Sequence, residues 1–157
     1  MTLRGTLHKR GKLIDSRITS GRTIVGTSRR QGYQRKRGAL IPLAHLLLNG
    51  PHEVRDIDGT LVPPPPGKAR RRPSFLGLPL PHRTYVGTVV PGAKGKFEWE
   101  IRARNGNLVY SSHNQGYNRA GRVKPDGTVA KGTALTSLVG VCHGGPHDID
   151  DTVHPAG

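Results

Sequence analysis

The sequence predicts an α+β protein: two ββαβ-type copies with small antiparallel sheets, joined by a proline-rich linker. Three observations lead there. Two ordered blocks of the first half recur in the second half. The second half contains a strand of strict period-two alternation closed by an Asn-Gly turn. Gly and Pro together make up 35 of 157 residues, which means many turns around a thin core. Leu, Ile, Val and Phe number only 36, just above the range typical of disordered chains.

The first copy spans residues 1–58. Leu13, Ile14 and Ile18 mark a weakly alternating hairpin that turns at Ser20-Gly21. Leu40, Leu43 and Leu47, with Ile41 and Leu48, form a helical stripe. Pro42 suits only a first helical turn, so the helix is expected to begin near Ile41. Gly50-Pro51 ends it, and a short strand containing Val54 follows. The linker, residues 59–82, holds seven prolines. Pro63 to Pro66 should run as polyproline II. Phe75, Leu76, Leu78 and Leu80 are too apolar for a solvated spacer and are expected to lie against a folded copy or a partner.

The second copy spans residues 83–157. Phe97, Trp99, Ile101 and Ala103 alternate with Glu98, Glu100, Arg102 and Arg104, giving one apolar and one charged face. Asn105-Gly106 turns the chain into a return strand over 108–112. Residues 122–132 read as an inserted basic hairpin around Pro125-Asp126-Gly127. Thr133 or Thr136 caps a helix that Gly144, Gly145 and Pro146 close, and a strand with Ile149 follows.

The recurrence is specific. In IVGTSRRQGYQR, Ser28, Gln31, Gly32, Tyr33 and Arg35 match Ser112, Gln115, Gly116, Tyr117 and Arg119 of LVYSSHNQGYNR. Further on, Gly50, Pro51 and His52 match Gly145, Pro146 and His147. The run FEWEIRARNGNLVYSSHNQGY, through Phe97, Asn105, Gly106, Leu108, Ser112 and Tyr117, resembles the YegP-like family of small tandem-repeat proteins of unknown function. Ser28, Tyr33, Lys36 and Ala39 carry the same resemblance in the first copy. It implies paired ββαβ units related by pseudo-symmetry, often dimeric, and it implies no reaction.

Charge is the main functional signal. Lys and Arg number 25 against 10 Asp and Glu, a net charge of +15 with a pI near 11.1. Such an excess points to a polyanionic partner, and arginine pairs bidentately with phosphate. The candidate nucleic-acid contacts are Arg29, Arg30, Arg35, Lys36 and Arg37 in SRRQGYQRKR, Arg70, Arg71 and Arg72 in the linker, and Arg119 and Arg122 in the second copy. Tyr33 and Tyr117 are read first as packing anchors and second as stacking platforms for bases.

Other function classes fare worse. The longest nearly apolar run, 40–48, is too short to cross a bilayer, so no membrane role is expected. The N-terminus lacks an apolar signal segment. Cys142 is the single cysteine, which excludes an internal disulfide and suits a reducing compartment, the cytoplasm or the interior of a virion or other assembly. The run from Cys142 to His154 is rich in His and Asp, but its spacing fits no closed zinc site. HEVRDIDG, residues 52–59, faintly suggests the histidine strand of HNH-type metal-dependent nucleases, yet prolines stand where their helix belongs. No nucleophile elbow or phosphate-cradling glycine loop is present. The expectation is a non-catalytic protein without metal or cofactor that binds nucleic acid or another polyanion. The alternative is a structural component of a phage particle or other large assembly, docking on protein partners or on itself through the linker and sheet edges.

Overall fold

Strands β1 (Arg4–Arg10), β2 (Leu13–Ser20) and β3 (Thr23–Thr27) form an antiparallel meander in the computed structural model. The structure describes residues 2–28, 32–67, 69–80, 83–112, 116–145 and 147–155. Helix α1 (Lys36–Leu48) and strand β4 (Glu53–Arg55) follow. The linker contributes the two-residue strands β5 (Ser74–Phe75) and β6 (Leu78–Pro79). The order then recurs as β7 (Val86–Pro91), β8 (Phe97–Arg102), β9 (Leu108–Ser111), α2 (Ala134–Cys142) and β10 (Asp148–His154).

The α+β class is observed, but the expected pair of small sheets is not. Eight strands form one mixed sheet in the order β10-β1-β2-β3-β9-β8-β7-β4, and β5-β6 is a separate hairpin. Strands β3 and β9 meet antiparallel at Thr27 and Ser111, which merges the two halves. Three strands precede each helix rather than two. The strand after each helix also leaves its own half: β4 pairs in parallel with β7, and β10 with β1. The sheet order is therefore palindromic about the β3–β9 seam.

Both helices lie on one face, α1 over β10, β1 and β2 and α2 over β4, β7 and β8. Close approach is made at matching glycines. A Cβ at Gly5 would stand 2.8 Å from Leu43, and one at Gly87 would stand 2.7 Å from Leu138. Leu7, Ile18, Leu43, Leu47, Trp99, Ile101, Leu135 and Leu138 are fully buried between the layers, each contributing about 1.5–3 kcal/mol of apolar burial.

Helix α1 begins at Lys36, ahead of the expected start, and Pro42 lies inside it. Burial of Ala39 and Leu40 drives the extension. The carbonyl that Pro42 cannot satisfy belongs to Gly38, which is exposed. In α2 the choice of cap falls on Thr133, whose Oγ1 accepts the Thr136 N–H at 3.1 Å.

The recurring Ser and Tyr close each hairpin identically. Ser28 Oγ accepts the N–H of Ser16 at 2.8 Å, and Ser112 Oγ accepts that of Trp99 at 3.0 Å. Tyr33 exchanges both backbone bonds with Ile14, as Tyr117 does with Phe97. The linker folds back as expected: Phe75 and Leu78 pack against the core and Leu80 is buried, while Leu76 stays exposed. The inserted hairpin is also present, bridged at Val123 and Val129.

Candidate functional site

Strand alternation and register sort the charges by face. The helix-free face of the sheet carries Arg4, Arg10, Arg17, Arg55 and Arg102 together with Asp15, Glu53, Glu98, Glu100, Asp148 and Asp150. Four ion pairs tie it together: Arg4–Asp148, Arg10–Asp15, Arg55–Glu53 and Arg102–Glu100, at 2.8 to 3.2 Å. His154 also binds Asp150, at 2.9 Å, and stacks on His8. Backbone N–H donation from Thr152 and the His154 bond hold the Asp150 carboxyl down at about 2. This face is balanced. The excess of cations lies elsewhere: only Asp56, Asp58, Asp126 and Asp151 remain to offset every other Lys and Arg.

The candidate residues fall into three separate places. Arg35, Lys36 and Arg37 sit exposed at the N-terminus of α1, a first turn without acidic residues. Lys36 reaches Asp151 on the outer strand β10 at 3.4 Å. Tyr33 beside them is half-buried and packed against the core, and burial raises its pKa. Arg29 and Arg30 lie outside the described residues, as does Gln31.

Arg119 and Arg122 lie near the other edge. Both are exposed, and Arg122 pairs with Asp58, just beyond β4, at 2.6 Å. Tyr117 is half-buried, with its hydroxyl 2.8 Å from Ser137 Oγ. The structure therefore supports the anchor reading of both tyrosines.

Arg70, Arg71 and Arg72 lie at the far end of α1, roughly 20 Å from Arg35–Arg37 along a helix of 13 residues. Arg70 is not on a free segment. Its backbone exchanges both hydrogen bonds with Gly50, and its guanidinium occupies the space that a side chain at Gly145 would need. Arg71 and Arg72 remain exposed; Arg72 lies over the Phe75 ring with its guanidinium carbon 5.6 Å from the centroid.

At this junction the C-termini of both helices meet, fastened by a pair of histidines that sequence reasoning missed in this role. His52 Nδ1 accepts the N–H of Tyr85 at 3.3 Å, and its Nε2 lies 3.1 Å from the Leu46 carbonyl. His147 Nδ1 accepts the N–H of Leu3 at 3.1 Å, and its Nε2 lies 3.1 Å from the Gly140 carbonyl. Because Nδ1 must accept, the proton sits on Nε2 and donates to the helix carbonyl. Each ring thus ties the end of its own helix to the start of the other half's first strand. Burial, with help from His45, pushes His52 down to about 4, and burial lowers His147 as well. The recurrence of Gly-Pro-His was the visible signal, but it reads equally well as a helix stop.

These bonds also place the residues of the two metal candidates. His52 has both ring nitrogens engaged. Asp56 accepts the N–H groups of Asp58, Thr60 and Val123 at 2.9 to 3.1 Å. Cys142 is fully buried, which raises its thiol pKa, and His143 Nε2 meets the His52 carbonyl at 2.9 Å. His154 lies on the opposite face of the sheet. Among the described residues, no group of three or more such side chains is placed to hold a metal ion.

Comparison with protein-family models, curated proteins and solved structures gave no match. No helix among the described residues is long and apolar enough to cross a membrane.

Proposed function

We propose that this protein is a non-catalytic binding module for nucleic acid, held mainly through phosphate contacts, and that its two halves are divergent YegP-like repeats. The segregation of charge carries the reading. One broad face is neutralised by its own ion pairs, while the cations outside it have few carboxylate neighbours, as a surface for a polyanion requires. Arg35–Arg37 and Arg119–Arg122 flank opposite edges of an eight-stranded sheet. At roughly 4.8 Å per strand its outer strands stand about 34 Å apart, close to one turn of duplex DNA. Docking of an assembly partner on the apolar half of the linker is disfavoured, because Phe75, Leu78 and Leu80 are turned inward.

The test is binding to duplex DNA, single-stranded DNA and RNA across a salt series. If roughly six phosphates are engaged, log K falls against log salt with a slope near −5 on duplex. Combining Arg37→Gln, Arg71→Gln and Arg119→Gln should flatten the slope by about 1 for each phosphate no longer engaged. Arg102→Gln, on the balanced face, should leave it unchanged. A triple variant with the wild-type slope would remove these cations from the interface.

A further inference from the structure

The two halves differ at one matched set of positions. Beside α1, His45 and His52 of the first half and Tyr85 of the second fill the space, their ring centroids 4.9 to 5.5 Å apart. Beside α2 the counterparts are Gly140 and His147 of the second half and Leu3 of the first: Gly140 aligns with His45, and Leu3 donates to His147 as Tyr85 does to His52. With two rings gone, a cleft of about 570 Å³ opens between α2 and strands β2 and β3. A Cβ at Gly140 would meet nothing within 4 Å. Glycine inside a helix is destabilising relative to alanine, so α2 forgoes stability where a side chain would enter this space.

The lining specifies the ligand. Leu3 and Val25 give an apolar floor, Tyr117 and Ser137 stand at one wall, and no described lining side chain is charged. Trp99 Nε1 donates to Ser137 Oγ at 3.1 Å, and Tyr117 Oη lies 2.8 Å from the same oxygen. Three donor protons therefore serve two hydrogen bonds. One hydroxyl proton of the Tyr117–Ser137 pair has no acceptor among the described residues, and both residues face the cleft. The volume falls in the usual range for small-molecule sites. A fitting guest is uncharged, partly apolar and equipped with a carbonyl or ring-nitrogen acceptor. At the rim, Gly145 lies against the Arg70 guanidinium, the place for an anionic group attached to that guest.

We propose that this cleft receives a nucleobase, with the sugar and phosphate directed outward toward Arg70. The choice of a nucleobase rests on the nucleic-acid reading, but its test does not require phosphate. Amide NMR titrations with adenosine, guanosine, cytidine and uridine, their 5′-monophosphates and a short single strand separate the two ideas. At least one nucleoside should saturate with shifts at Gly140, Ser137 and Tyr117. Gly140→Leu should weaken it at least tenfold while Tm holds or rises. Ser137→Ala, which removes one partner of the hydroxyl pair, should weaken it several-fold. A monophosphate that outcompetes the strand identifies a free nucleotide as the guest, and the reverse order identifies a base within a strand. Silence at these amides from every nucleoside and monophosphate would overturn the inference even if salt-dependent strand binding persists. So would unaltered binding by folded Gly140→Leu and Ser137→Ala. Nucleoside binding without strand binding would instead support the cleft and sink the polyanion reading.

Discussion

Gly26 lies under the indole of Trp99: a Cβ at position 26 would stand 2.5 Å from the indole Cη2 and 3.2 Å from the Ser111 carbonyl. Two strands away, Tyr110 reaches Ser16, its hydroxyl 3.0 Å from the serine Oγ. Gly26 and Ser16 belong to the first half, Tyr110 and Trp99 to the matched positions of the second. The small residues of one half thus receive the large residues of the other, so the central core needs both. Trp99 has no room to retreat because its Nε1 is tied to Ser137. Gly26→Ala should therefore cost about 1–3 kcal/mol through overpacking, read as a lower urea midpoint with unchanged slope. Full wild-type stability would show that the seam is looser than this packing implies.

The histidine ties predict acid sensitivity of defined sign. In the fold His52 stays neutral until the pH falls to about 4, whereas an unfolded histidine takes its proton near 6.5. Below about 6.5 the unfolded state therefore binds a proton that the folded state refuses, and stability falls with pH until His52 itself is protonated. The gap corresponds to about 3 kcal/mol for this buried ring. The lowered pKa of His147 adds in the same direction. The depressed Asp150 carboxyl makes its loss only as the pH falls from the ordinary carboxylate range toward about 2, so the window from 6.5 to 4 reports mainly on histidines. Urea midpoints at pH 7, 6, 5 and 4.5 should fall steadily, and less steeply in His52→Asn. A His52 ring that titrates near 6.5 by NMR would contradict the buried tie.

Much of this fold was legible because local chemistry dictated it. The alternation from Phe97 to Arg102, the Asn105-Gly106 turn, the leucine stripe of α1 and the Thr133 cap act within a few residues. Strand β1 escaped because its outward positions, Arg4, Thr6 and His8, lie on the polar face, while Gly5 stands at an inward position beneath Leu43. The exchange of β4 and β10 between halves depends on partners far apart in sequence, and no local period encodes it. Of the candidate site, the arginines were legible as charge but not as geometry. Arg70 and Arg71 are neighbours of identical chemistry, and only tertiary packing separates a half-buried wedge from an exposed cation.

That separation is testable. Two helix C-termini converge on Arg70, and each carries partial negative charge. Burial lowers the pKa of both His143 and His147, and the nearby Arg70 charge lowers them further. Arg70→Ala should cost about 1 kcal/mol, with Arg70→Lys recovering part of it. Arg71→Ala should stay within about 0.5 kcal/mol of wild type, as for ordinary surface positions. Thermal unfolding of the three variants decides the matter, and equal Tm values for Arg70→Ala and Arg71→Ala would remove the structural role assigned to Arg70.

Asp56 provides the last contrast between a catalytic and a structural reading of HEVRDIDG. Its Oδ1 accepts the N–H groups of Asp58 and Thr60, and its Oδ2 accepts that of Val123. The side chain is buried, so it both shapes the turn after β4 and ties down the inserted hairpin. Asp56→Ala leaves those donors without their acceptor and should cost about 2 kcal/mol. Asp56→Asn keeps one carbonyl oxygen for Asp58 and Thr60 but turns an amide N–H₂ toward the Val123 N–H, setting donor against donor. Hydrogen exchange should then accelerate at Val123 while the Thr60 amide stays protected. Equal acceleration at Thr60 and Val123 in Asp56→Asn would mean that the carboxylate does not divide its two oxygens between the turn and the hairpin.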